Sequence, residues 1–129
     1  MWFQNALGKE KIQFMFNNEL DIQVVEIHGF SMENFSDLKF NFICKKIPKK
    51  YPEKWNKDIF NALNFDITFE NITQLDITGS RIGFFCSPII KSSPNLAEIK
   101  VEHNSFKLYC SSDFLTIGEI VPYLDERWD

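Results

Sequence analysis

The sequence predicts an α+β fold, in which a mainly antiparallel β-sheet follows an N-terminal helical segment. Several segments alternate apolar and polar residues, as strands with one buried face do. Residues 96–110 can fold back on themselves with every cross-strand pair matched in polarity, which indicates a hairpin. In the first sixteen residues, the spacing of the apolar side chains favours a helix. Because 129 residues is a usual size for one domain, residues 1–129 are assigned to a single domain.

The N-terminal half supplies a helical segment and two strands. Residues 1–16 are predicted to be helical, with Gly8 interrupting the first turn. Residues 22–27 are short and β-branched, which predicts a strand that Gly29 bounds. Residues 38–44 alternate strictly, so they predict a strand with one packed face.

The middle of the chain predicts a loop followed by a pair of strands. Residues 45–55 contain two prolines, which remove backbone donors and indicate a loop. Residues 65–70 and 75–78 alternate as strands, and the polar segment 71–74 between them suggests a hairpin turn. Residues 81–90 are apolar but irregular and carry no prediction.

The hairpin at residues 96–110 has the best-defined register. A two-residue turn at Asn104 and Ser105 places apolar residues opposite apolar residues and charged or polar residues opposite each other. The predicted pairs are His103 with Phe106, Val101 with Leu108, Ile99 with Cys110, Glu102 with Lys107, and Lys100 with Tyr109. In the following tail, Pro122 argues against a central strand.

The charges are unevenly distributed along the chain. Between Lys39 and Lys57 there are seven lysines and one acid, whereas the rest of the chain has 7 basic and 17 acidic residues. An acidic body repels a phosphate backbone and favours a basic partner. The lysine segment with Tyr51 and Trp55 also resembles nucleic-acid binders, but we favour a solvated loop and predict no nucleic-acid partner.

Few residues suggest catalysis or a bound metal. The two histidines, His28 and His103, lie at predicted strand ends, and the three cysteines lack metal-ligand spacing. We therefore predict no enzyme activity, cofactor, metal site or disulfide. One enzymatic alternative remains: Glu98 and Lys100, with Asp66 or Asp76, have the composition of a metal-dependent nuclease core.

The location of the chain is predicted to be the cytoplasm. Its N-terminus lacks the basic region and apolar stretch of a secretory signal. No apolar run approaches the roughly 20 residues that a membrane span requires, so no membrane partner is expected.

Two stretches carry a family resemblance. Residues 47–56, Ile-Pro-Lys-Lys-Tyr-Pro-Glu-Lys-Trp-Asn, and residues 65–79 are similar to the middle of the bacterial polymorphic-toxin immunity proteins of family 50. Those proteins have a Pro-x-x-Trp-like turn before an alternating strand. Trp2 and residues 31–35 fall roughly at the positions where those proteins have the corresponding segments. The resemblance implies a small, mostly β antitoxin of contact-dependent growth inhibition systems, which binds and neutralises a cognate toxin domain in the cytosol.

The toxin-binding residues are expected on two acidic groups. The partner would be a basic C-terminal toxin domain, expected to be a nuclease, toward which acidic side chains can steer the protein. An alternative is a self-associating structural module that uses Trp2, Trp55 and surface phenylalanines as its interface. The predicted toxin-binding residues are Glu98, Glu102 and Tyr109 on the solvent face of the hairpin, and Asp125, Glu126 and Trp128 in the tail.

Overall fold

The fold is one seven-stranded antiparallel sheet with a short helix, which confirms the predicted α+β class. The structure, a computed structural model, describes residues 2–16, 22–47, 50–57 and 59–127. The strand order is β4-β1-β2-β3-β7-β6-β5. The elements are α1 (Glu10–Phe16), β1 (Val25–Glu33), β2 (Asp37–Cys44), a 3₁₀ helix (Glu53–Lys57), β3 (Ala62–Thr78), β4 (Phe85–Cys86), β5 (Ile89–Ser93), β6 (Leu96–His103) and β7 (Phe106–Tyr123).

Two long strands, β3 and β7, run through both halves of the sheet. The hairpin predicted at residues 71–74 is wrong, because β3 continues through them and pairs with β7 on both sides. Asn71 has a φ of 58°, and the register shifts between Ile72 and Gln74. The polar segment thus forms a bulge, which bends the strand without reversing it.

The hairpin of β6 and β7 has the predicted register. All five predicted pairs are present, from Ile99 with Cys110 to His103 with Phe106, and Asn104 supplies a left-handed residue in the turn. The strand at residues 38–44 is also confirmed as β2. By contrast, Gly29 does not end β1, which passes through a bulge there and continues to Glu33.

The N-terminal segment lies along β7 beyond the end of β6. The helix covers only the second half of the predicted segment, because Leu7 instead bonds to β7: its amide donates to the Leu115 carbonyl at 3.0 Å and its carbonyl accepts from Ile117 at 2.8 Å. Pro122 lies within the last residues of β7, paired to β3. β6 pairs with β7 only as far as Ser112, and the strand beside Pro122 is β3. The missing backbone N–H of Pro122 therefore interrupts no pairing with β6.

The core lies on one face of the curved sheet, and phenylalanine rings fill much of it. Phe40 contacts Phe42 and Phe69 at centroid distances of 5.6 and 5.8 Å. Phe30 of β1 approaches Phe106 of β7 at 6.5 Å, so the two ends of the sheet curl toward each other. The helix adds buried apolar side chains to this core. In the described ranges, no helix has the length and apolarity to cross a membrane.

Candidate functional site

Three of the predicted binding residues share one surface, the outer face of the β6–β7 hairpin opposite the core. Glu98 pairs with Ser111 and Glu102 with Lys107, so their side chains point to the same side as Tyr109. The Tyr109 hydroxyl donates to a Glu98 oxygen at 3.2 Å. Desolvation and this hydrogen bond raise the pKa of Tyr109, so its hydroxyl stays a donor at neutral pH. We call this surface the hairpin face.

The hairpin face is balanced in charge. Glu98 lies opposite Lys91 of β5, and the Lys100 amine lies 3.4 Å from a Glu102 oxygen. Acids and lysines therefore alternate along the paired rows. The charged residues in these rows are Asp76, Lys91, Glu98, Lys100, Glu102 and Lys107. The sequence does not predict this balance, because its pattern assigns no strand to residues 89–93.

In the described part of the predicted tail group, Asp125 is buried and paired instead of exposed to a partner. Asp125 is only 3% exposed, and Arg127 donates to it and, through two bonds of 2.9 and 2.7 Å, to the buried Glu26. The Arg127 hydrogen bonds lower the pKa of Asp125 to about 2. Glu126 is exposed, whereas Trp128 lies outside the described residues.

An acidic surface of the described residues lies elsewhere, in a groove on the outer face of the other half of the sheet. It extends from the β1–β2 turn across β3 to a bulge in β7. We call it the acidic groove. Its charged residues in the described part of the chain are Glu33, Asp37, Lys39, Asp66, Glu70 and Glu119. Five acids against one lysine give it as negative a net charge as the whole chain, −4.

Hydrogen bonds hold several of these carboxylates in place. Asp66 accepts from the Asn41 amide group at 2.8 Å and lies 3.7 Å from the Lys39 amine. Glu70 accepts from the Thr116 hydroxyl at 2.5 Å. Since the donors come from neighbouring strands, the groove is arranged before any partner binds.

The nuclease-like group is not assembled around Asp66. Glu98 pairs with Ser111 of β7, which on its other side pairs with Gln74 of β3. Asp66 lies eight residues from Gln74 along β3, a distance of roughly 26 Å. Among the side chains that the structure describes, no three His, Cys, Asp or Glu residues are grouped to hold a metal ion.

The aromatic residues of the lysine segment belong to the core. Trp55 is 3% exposed, stacks on Tyr51 at 5.5 Å and meets Phe60 edge-on at 5.8 Å. Its amide donates to the Pro52 carbonyl, which forms the Pro-x-x-Trp turn. A ring buried in this way offers no platform for a nucleic-acid base and no exposed contact for self-association.

A family model of known proteins matches most of the chain. The family model of Immunity protein 50 matches residues 8–123, nearly the whole chain. A search of curated proteins and a search of solved structures each found no match. The matched range includes α1, every strand of the sheet and the acidic groove. The chain belongs to the Immunity protein 50 family.

Proposed function

We propose that this protein is an immunity protein that binds a cognate toxin domain and neutralises it without a reaction of its own. The observation that carries the proposal is the acidic groove, a preorganised surface of net charge −4 in a member of an immunity family. The proposed partner is the basic C-terminal nuclease domain of a polymorphic toxin used in contact-dependent growth inhibition. Binding takes place in the cytoplasm, where a delivered nuclease meets its substrate.

Electrostatics supports a basic partner. A nuclease binds phosphates through lysine and arginine, so its substrate face is positive. An acidic surface steers such a face into encounter and suppresses wrong partners. Occupying the phosphate-binding face also explains inhibition without chemistry, because the nucleic acid then has no access.

The sequence-predicted residues are proposed to contribute unequally. Tyr109, held by Glu98, is a rigid aromatic contact suited to supply affinity, and Glu102 borders it. Because the hairpin face is balanced in charge, these residues set specificity more than steering. Glu126 and Trp128 are proposed as peripheral contacts, and Asp125 contributes indirectly by holding the tail through Arg127.

Co-expression tests the proposal. Toxin domains encoded beside this chain in its genome are expressed in bacteria with and without the protein, and growth is recorded. We expect one toxin domain to be lethal alone and harmless with the protein, while toxins from unrelated systems stay lethal. Rescue from several unrelated toxins, or from none of the neighbouring ones, would show that the protein is not a specific antitoxin.

A further inference from the structure

The turn between β1 and β2 presents a phenylalanine to solvent. Phe35 has a relative exposure of 103%, and Met32 nearby is half exposed. Asn34 and Phe35 both have left-handed backbone conformations, with φ of 50° and 69°. The groove begins at this turn, because Glu33, Asn34 and Asp37 line one end of it.

Folding does not explain a phenylalanine at this position. An exposed ring gains nothing from the hydrophobic effect, and a left-handed conformation strains any residue with a Cβ. Glycine would satisfy the turn better on both counts. The two rings of β2, Phe40 and Phe42, are fully buried by contrast.

The neighbouring strand holds the turn firmly. Asp37 accepts a hydrogen bond from the Asn71 amide at 3.0 Å, and the Ile72 amide donates to the Ser36 carbonyl at 2.8 Å. The Asn71 bulge in β3 therefore docks against the turn. The turn therefore holds Phe35 in a fixed position, which lowers the entropic cost of ordering this residue when a partner binds.

We propose that Phe35 is the aromatic anchor of the toxin interface: its ring enters an apolar pocket of the toxin, and the groove acids meet basic residues around that pocket. This proposal rests on the proposed function and names the contact that performs it. Interfaces concentrate energy in a central aromatic residue with polar groups around it, which is the arrangement at this turn.

Charge complementarity selects the partner. Glu33 and Asp37 lie on either side of Phe35 in the sequence, and the groove to which both belong has a net charge of −4. A basic protein surface fits both parts. A second copy that docks turn to turn would bring two acidic grooves together, so self-association through this tip is disfavoured.

The test measures affinity and stability of one variant together. Calorimetry uses the catalytically inactive form of the toxin domain that the wild type neutralises in co-expression. We expect Phe35→Gly to weaken binding by at least about thirtyfold, as loss of a hot spot does. Its melting temperature should equal or exceed that of the wild type, because glycine relieves the turn.

The matched control is Phe14→Ala. Phe14 is 58% exposed on α1, whose buried residues belong to the core, and Phe14 is not among the residues that line the groove. Its removal should leave the dissociation constant within about twofold, as a residue outside an interface does.

Three outcomes would overturn the inference. A folded Phe35→Gly variant that binds as tightly as the wild type refutes the anchor but leaves the immunity function intact. A wild-type protein that binds no neighbouring toxin refutes the proposed function and the anchor with it. A dimer in sedimentation that Phe35→Gly dissociates assigns the tip to a second copy.

Discussion

The cysteine side chains act as small apolar groups of the core. Cys44 and Cys110 are free thiols, buried at alternating apolar positions of β2 and β7, as the strand pattern predicts. Burial raises the pKa of both, and that of Cys110 reaches about 11. They are therefore protonated at neutral pH and poor nucleophiles.

Cys110→Ala tests this role. We expect a loss of roughly 1–2 kcal/mol in the free energy of unfolding, because a buried sulfur is replaced by a small cavity. Urea denaturation measures the loss, and toxin binding should be nearly unchanged. If the folded variant fails to bind, the thiol has a role in recognition that its burial does not account for.

The ion cluster of the tail makes stability depend on pH. Arg127 lowers the pKa of Asp125 from its ordinary 3.8 to about 2. A carboxylate with a lowered pKa contributes its full stabilisation at pH values above the pKa that it has in the unfolded chain. This contribution disappears as pH falls from about 4 to about 2. Asp125→Asn should therefore be less stable than the wild type at pH 7, and the difference should shrink toward pH 2.

Thermal unfolding between pH 7 and pH 2 makes this comparison, with the exposed neighbour Glu126→Gln as the control. The control should follow the wild-type curve. A difference between Asp125→Asn and the wild type that is constant over this range would mean that the charge of Asp125 does not carry the stability.

Among the elements, the attachment of the N-terminal segment to β7 depends on Gly8. Its φ is 84°, and an added Cβ would lie 2.5 Å from the Ile117 carbonyl oxygen. Gly8→Ala should cost roughly 2–4 kcal/mol of unfolding free energy, since strain and a backbone clash add. Gly29→Ala is the control, because a Cβ added there would have no atom of another segment within 4 Å.

Urea denaturation measures the unfolding free energy of both variants. The control should stay within about 0.5 kcal/mol of the wild type, as substitutions without a steric conflict do. Equal stability of the two variants would show that the segment can detach from β7 without cost.

The elements also show which features the sequence can predict. The β6–β7 hairpin is predictable because its turn and its pairing are local, and every pair agrees in polarity. The continuity of β3 is not, because Asn71 has the local pattern of a turn and its strand partner lies far along the chain. The acidic groove escapes prediction for the same reason: the sequence pattern places Asp66 and Glu70 on a strand, but only pairing with β7 brings Glu119 beside them.

At the scale of the whole molecule, charge is divided between two outer surfaces. The acidic groove has a net charge of −4, whereas the hairpin face is balanced. Both double variants Glu33→Lys/Glu119→Lys and Glu98→Lys/Glu102→Lys change the net charge equally. If the groove steers association, the groove variant should associate with the toxin at least about tenfold more slowly than the wild type at low salt. The association rate of the hairpin variant should fall by a smaller factor.

Stopped-flow association rates from about 50 to 500 mM salt separate the two surfaces. The wild-type rate should fall steeply with salt, and the groove variant should start low and change little. Rates that are equal and independent of salt for all three proteins would rule out electrostatic steering. A hairpin variant that associates more slowly than the groove variant would assign the steering to the hairpin face.

Under the proposed function, protection comes from direct binding of one toxin. Isothermal titration calorimetry of the purified protein with the inactive form of the toxin domain that it neutralises in cells tests it most directly. We expect a complex of one molecule of each, with a roughly nanomolar dissociation constant or tighter. Protection in cells with no measurable complex between the purified partners would contradict it.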